Sequence, residues 1–223
     1  MIVPTIAEDL QGIVRLGLVG AAPVAVGPAG DLLLAEIEAA RAELVKRHVG
    51  QSPFDIGGLD PARRLYRAFG IDPTRTRPSS EALLRRALQG KPLPRILNAV
   101  DLCNLCALRF LLPIGLYDAA LVRGDVTLRR GVPDEMYQGV RKDEVHLEGR
   151  PVLADEQGPF GNPTADSLRT AVTTETRALW MVIFGPISLP AAQMETYVRQ
   201  SCEAMATHLA PPGGPVLTEG RVV

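Results

Sequence analysis

Three sets of residues in this 223-residue chain have the types and spacing for chemistry. The first holds acids and hydroxyls. Asp155 and Glu156 stand just before a Gly/Pro-rich stretch that opens with Gln157 and Gly158. Carboxylates there could hold a water or an ammonium group, or simply end a strand. Thr170, Thr173, Thr174 and Thr176 surround Glu175. Strand alternation would place Thr174 and Thr176 on one face and Thr173 and Glu175 on the other. Hydroxyls at the start of a strand can bind a carboxylate, a ribose hydroxyl or a water, yet threonine is also common in strands for its β propensity alone. The second set is Cys103-x-x-Cys106. Zinc would need two more soft ligands, and Cys202, His48, His146 and His208 lie at no finger-like spacing. A redox pair is the alternative, but both thiols sit in an apolar run, which favours buried packing. The third set is cationic. Arg75-Thr76-Arg77-Pro78-Ser79-Ser80 leads into a helix N-terminus, an arrangement that suits an anion as well as a simple cap. His146 falls in an expected hairpin and reads as a surface residue.

The bulk properties narrow the classes. The apolar fraction of 46% is that of an ordinary globular protein, and the length allows a well-buried core. No signal-peptide pattern is evident, and no apolar run approaches the roughly 20 residues that span a bilayer. Three cysteines do not make a disulfide scaffold. A cytoplasmic protein without metal or cofactor is expected. Net charge is −1, which does not suit a general nucleic-acid binder. Between Arg63 and Arg95, however, nine cations face only Asp72 and Glu81, a local balance of +7. Such a segment could neutralise phosphates and release their counterions, or it could be two solvated helix faces.

The elements that must position these groups alternate irregularly. Residues 1–30 read as short strands with Gly/Pro turns. Asp31 opens a helix to about His48, with Leu34, Ile37, Ala40, Leu44 and Val45 on one face. Asp60-Pro61 starts a second helix that ends near Gly70, and Ser79 or Ser80 caps a third, Glu81 to Gln89. The stretch 98–118 reads as a short extended apolar start and a polar corner at Asp101 and Asn104. An apolar run, a Pro-Ile-Gly turn and a polar end at Asp118 follow, so that residues 95–112 read as a strand corner and then a helix. Residues 119–130 read as a strand pair turning at Arg123-Gly124-Asp125. A hairpin turns at Glu148-Gly149 within 146–153, residues 157–163 form a loop, and 170–184 form a strand or strand pair. A last amphipathic helix covers 190–209. This order is α+β rather than doubly wound. One domain over residues 1–210 and a flexible tail over 211–223 are expected.

The stretch 98–118 resembles the central segment of the B3/B4 domain of the phenylalanyl-tRNA synthetase β subunit. That family places Val-Asp-x-x-Asn, an apolar stretch and Pro-x-x-x-x-Asp at this spacing, here Val100, Asp101 and Asn104, then Pro113 and Asp118. Further similar units occur in the same order. They are Arg77-Pro78, Leu84-Arg85-Arg86 ahead of Gly90, Ala154-Asp155, and Glu175-Thr176 before an apolar strand ending at Pro186. The resemblance spans about residues 65–186 and includes no aminoacylation core. It implies an α+β fold of layered mixed β-sheets with packed helices. It also implies a tRNA or aminoacyl-tRNA ligand and, by analogy with the domain that hydrolyses mischarged tRNA, ester hydrolysis in trans. The implied ligand pocket takes in Asn104, Gly115, Asp118 and Asp101. Asn104 would hydrogen-bond the aminoacyl or ribose moiety, and Gly115 would let the ligand backbone approach. Asp155, Thr173 and Thr174 are the candidate catalytic groups, the threonines orienting water. Arg75, Arg77, Arg85 and Arg86 would meet phosphate. The chain departs from the family at Cys103, where a threonine stands in the bacterial domain. It departs again at Gly115, in place of the pocket histidine, and near Leu168, in place of a pocket glutamate that reads a tyrosine hydroxyl. A pocket with glycine and leucine there lacks those two hydrogen-bonding groups. A non-catalytic module binding a free amino acid is the alternative. A third reading is an interaction protein that self-associates through its last helix.

Overall fold

The computed structural model describes residues 1–140 and 144–223. Its central strand is β9, Leu179–Pro186, in which every residue is buried. A strand buried along both faces reads as a continuous apolar run, here Leu-Trp-Met-Val-Ile-Phe. Alternate residues serve two different cores. Leu179, Met181 and Ile183 point to a helical layer, whereas Trp180, Val182 and Phe184 point to a second sheet.

Numbered along the chain, the other strands are β1 (Thr5–Ile6), β2 (Val14–Ala22), β3 (Ile114–Asp118) and β4 (Thr127–Arg130). They continue with β5 (Met136–Gln138), β6 (Glu144–His146), β7 (Pro151–Asp155), β8 (Gly158–Gly161) and β10 (Leu217–Val222). The helices are α1 (Asp31–Arg47), α2 (Asp60–Ala68), α3 (Ser79–Leu88), α4 (Asn98–Phe110) and α5 (Ala191–His208). The central sheet is antiparallel in the order β10-β2-β9-β3. The second is mixed, β1-β4-β7-β8, with β1 parallel to β4. β5 and β6 form a separate ribbon. Helices α1, α3, α4 and α5 cover one face of the central sheet, and α2 with the second sheet covers the other. The fold is therefore α+β, with helices on sheet on sheet. No helix among the described residues is long and apolar enough to cross a membrane.

Three glycines on adjacent strands let α5 lie close to the central sheet. A Cβ on Gly17 would come within 2.7 Å of Met194 Sδ, one on Gly220 within 2.4 Å of a Val198 methyl, and one on Gly185 within 2.8 Å of Met194 Cε.

Several expectations are corrected. Asp101 and Asn104 do not form a polar corner, because both lie inside α4. Residues 119–121 are a helical turn rather than a strand. The turn at Glu148-Gly149 exists, but the strands on either side of it go to different sheets, β6 to β5 and β7 to β4 and β8. The stretch from Gln157 contributes a strand, β8, not only a loop. The threonine-rich stretch is a turn ahead of β9, so no strand alternation applies to it. Residues 217–222, expected within a tail, form β10 and pair with β2 from Ala22 to Gly17.

Candidate functional site

A cavity of about 290 Å³ opens where α4 meets the free edge of β3. Its apolar wall comes from Val100, Cys103 and Ala107 on α4, Ile114 and Leu116 on β3, and Val140 and Val172. Its polar wall is Asn104 on one side and the loop Asn162–Asp166 on the other. An apolar cavity with a few convergent polar groups is the usual form of a ligand site.

The loop is rigid, and the reason lies in its hydrogen bonds. Asn162 Oδ1 accepts from the backbone N–H of Thr164 at 2.7 Å and of Ala165 at 2.8 Å, which fixes the orientation of its amide. Tyr66 donates to the Pro163 carbonyl at 2.8 Å, and Tyr137 donates to the Ala165 carbonyl. The N–H of Val140 donates to the Asp166 carbonyl at 3.0 Å. After all these bonds are made, two buried side-chain atoms on the loop have no partner among the described residues: Asn162 Nδ2 and Asp166 Oδ1. Buried polar atoms are nearly always bonded, because leaving one unpaired costs about 1–3 kcal/mol. A donor and an acceptor orphaned together at a cavity wall are what a ligand with the opposite pair would satisfy.

Asp166 is also electrostatically unusual. Burial pushes its carboxyl up to about 7, against smaller opposing pulls from the Tyr117 hydroxyl and the Leu116 amide. The Leu116 N–H, turned away from β9 at the sheet edge, reaches Asp166 Oδ2 at a long 3.5 Å. The Tyr117 hydroxyl faces this carboxyl, and burial together with Asp166 holds its proton more tightly; among the described residues no partner stands in full hydrogen-bond geometry to it.

The expected site residues divide. Asn104 stands at this cavity, half-buried and without a side-chain hydrogen bond among the described residues. Cys103 lines the cavity beside it, and burial raises the thiols of Cys103 and Cys106 well out of the nucleophilic range. Gly115 faces away from the cavity. A Cβ there would come within 2.1 Å of Tyr117 Oη, so this glycine makes room for the tyrosine and not for a ligand. Asp118 caps the turn after β3 through the Ala120 N–H at 2.9 Å and accepts from Thr176 Oγ1 at 2.7 Å. Asp101 accepts from the Ile96 N–H at 2.9 Å and ties down the approach to α4. Asp155 is held by both terminal nitrogens of Arg169, at 3.0 and 2.9 Å, and by two backbone N–H groups. Thr173 closes a turn with Glu175 and Thr176, and Thr174 is exposed. Neither threonine lines the cavity; the neighbouring Ala171 and Val172 do. Leu168 is 57% exposed and lies outside it. The carboxylate at the site is Asp166, two residues earlier, and sequence reasoning missed both it and Asn162. The one available signal was Asn162-Pro163-Thr164, whose side chain–backbone turn presents the next acid.

The four arginines expected to meet phosphate also separate. Arg75 is exposed in the loop before α3 and only loosely paired with Asp72. Arg86 turns to the Pro92 carbonyl. Arg77 and Arg85 converge on buried Glu81, at 3.7 and 2.9 Å, together with Arg63 at 2.8 Å.

A larger hollow of about 660 Å³ lies at the other end of the central sheet, around Ala22, Ala178 and Leu217. Its one charged side chain, Glu219, pairs with the Met1 ammonium at 2.7 Å, so it lacks the convergent open polar groups of the α4–β3 cavity.

Residues 61–201 match the family model for the B3/4 domain, and this span contains α4, β3 and the Asn162–Asp166 loop. No curated protein matches the chain. Among solved structures, an N-terminal fragment of the phenylalanyl-tRNA synthetase β subunit from Pyrococcus horikoshii is similar, with 14% identity and a TM-score of 0.45. The similarity covers 99% of this chain and 50% of that one, so the chain spans about half the length of that structure. The family match extends over well more than half of the sequence, and the chain belongs to the B3/4 domain family.

Proposed function

We propose that this protein binds the aminoacylated 3′ end of tRNA, with the aminoacyl group in the α4–β3 cavity, and releases the amino acid by hydrolysis in trans. The observation that carries the reading is the orphaned pair, Asp166 Oδ1 and Asn162 Nδ2, on a cavity that also presents Asn104. Asn104 at the opening would hold the ester or ribose end. Deeper, Asp166 and Asn162 would accept and donate to a hydroxyl on the side chain of the amino acid. They supply the polar reading that Gly115 and Leu168 do not. Rejecting a ligand without that hydroxyl would follow from leaving the two groups unpaired again. Hydrolysis adds water across the ester, giving the free amino acid and the 3′-terminal hydroxyl of the tRNA. The whole chain would act as one B3/4 unit, and three free cysteines suit a reducing, cytoplasmic setting.

A second reading has an observation of its own. Asp155, Thr173 and Asp118 all spend their side chains on structural bonds, and among the described residues no activated nucleophile faces the cavity. That favours a module that binds an amino acid or its tRNA ester without cleaving it.

Deacylation of a panel of correctly and incorrectly charged tRNAs, by the protein and by Asp166→Asn, separates these readings. Faster release from one mischarged species, lost in the variant, supports the hydrolase. Background rates throughout, with saturable amino-acid binding that weakens in Asp166→Asn, support the binding module. Background rates with no binding refute both.

A further inference from the structure

The geometry points to a second, separate site: a phosphate-binding cup between α2 and α3, built from Arg63, Arg67, Arg77 and Arg85. Helical spacing assembles it. Arg63 and Arg67 are four residues apart on α2, and Glu81 and Arg85 are four apart on α3, so each pair lies on one helix face. The loop between the helices brings Arg77 and Thr74 to the same hollow. The hollow holds about 70 Å³, room for roughly two waters.

Glu81 organises the cup. It is 2% exposed. Burial works against its charge, but hydrogen bonds from Arg63 and Arg85 outweigh that and hold its carboxyl below the usual range. Arg63 also donates to the Pro53 carbonyl at 2.8 Å. One ionised carboxylate thus orients Arg63 and Arg85 by hydrogen bonds and draws Arg77 to 3.7 Å, a single negative charge among three guanidinium groups. Arg67 adds a fourth. It is exposed at the lip and makes no hydrogen bond or ion pair among the described residues. A compact array of guanidinium groups with excess positive charge matches the planar, multidentate recognition of phosphate oxygens.

The position of the cup connects it to the α4–β3 cavity. Ser79, the first residue of α3, lines that cavity, while Arg77 and Glu81 line the cup. The two sites therefore both border the start of α3. A ligand with its acyl end in the cavity would present a backbone phosphate to the cup. This extension to RNA rests on the proposed function; the cup as a phosphate site does not.

The test uses the full chain, Arg67→Gln and Arg67→Glu, since an exposed arginine can be replaced with little risk to folding. In the first arm, inorganic phosphate is titrated while the arginine Nε–H resonances are followed by NMR. The expected result is saturable shifts at several of these signals, weakened at least fivefold in Arg67→Gln and abolished in Arg67→Glu. In the second arm, an uncharged acceptor-stem hairpin ending in CCA is bound at several salt concentrations. Arg67→Glu should weaken it about tenfold and flatten the plot of log affinity against log salt by roughly one phosphate contact. Shifts with phosphate but no hairpin binding would keep the cup, make free phosphate its ligand and sink the tRNA reading. Hairpin binding lost in Arg67→Glu without phosphate shifts would keep the cup as a backbone-phosphate site. Arginine signals unmoved by phosphate, with hairpin binding absent or equal in all three proteins, would overturn the cup.

Discussion

Asp166 is a carboxyl largely withdrawn from water at the wall of the α4–β3 cavity, and that has a measurable consequence. Burial raises its pKa from 3.8 to about 7. Below about pH 4 it is protonated in the folded and unfolded chain alike, so it affects stability little. As pH rises from about 4 to 7 the unfolded chain ionises first and the native state loses ground; above about 7 the penalty is constant. Asp166→Asn removes the ionisation. It should therefore be more stable than the parent at pH 8, by up to about 4 kcal/mol, with the difference closing towards pH 4. Thermal melts of both proteins across that range check this, and a pH-independent difference would show that the carboxyl is not desolvated. Arg169→Ala acts in the opposite sense. It leaves Asp155, whose side chain is fully buried, with an unpaired charge, and should cost about 2–4 kcal/mol in denaturant unfolding. Of the candidate site, Asn104 was legible in the sequence because its motif spacing is short and local. Asp155 and Asp118 carried the right chemistry, but their partners, Arg169 and Thr176, are 14 and 58 residues away. No spacing rule reveals that such acids are already occupied. Asp166 was hidden for the converse reason: what distinguishes it is one carboxylate oxygen, Oδ1, without a partner among the described residues.

Single elements show which signals a sequence transmits. Helices α1 and α5 were readable almost to the residue because each buries one stripe at helical spacing, such as Met194, Val198 and Met205. Helix α4 was read only in part, as a strand corner followed by a helix, because it is buried nearly all round, from Asn98 to Phe110, and so has no polar face to set a period. Its Asp101 and Asn104 then looked like breaks. The threonines before β9 were misread as strand because β propensity does not distinguish a residue in a ladder from one closing a turn through its hydroxyl, as Thr173 does. Strand β3 yields a prediction at this scale. Gly115 lies under the Tyr117 hydroxyl, and Gly161 on β8 flanks the same ring, where a Cβ would come within 2.3 Å of Tyr117 Oη. The ring is fully buried against Phe160 and Trp180 and has nowhere to retreat. Gly115→Ala should therefore cost about 1–3 kcal/mol. It should also change the near-ultraviolet circular dichroism of the aromatic cluster. A silent substitution would mean that β3 can shift, and with it the edge that carries Leu116 to Asp166.

At the scale of the molecule, the decisive fact is that neighbours in sequence are often not neighbours in the sheets. β6 and β7 are separated by a tight turn yet join different sheets, while β2, near one end of the chain, pairs with β10 at the other. Local patterns do not encode such pairings, which is why the layered α+β class was legible and the topology was not. The pairing of β10 with β2 also explains how the central sheet survives in water. β2 is buried from Leu16 to Ala21, and as an edge strand it would offer a long apolar ladder to any other chain. β10 covers that edge with a mostly exposed, polar strand containing Glu219 and Arg221. With α5, it also closes the groove over Gly17 and Gly220. Removing residues 216–223 should do more than shorten a tail. It deletes Val216 from the core and strips the ladder from β2, a loss of at least about 2–3 kcal/mol by the buried side chain and backbone bonds alone. The truncated chain should melt at lower temperature and form concentration-dependent oligomers, read by light scattering. A shorter chain that stayed monomeric with unchanged melting would show that β10 is dispensable and that the edge of β2 is protected by α5 alone.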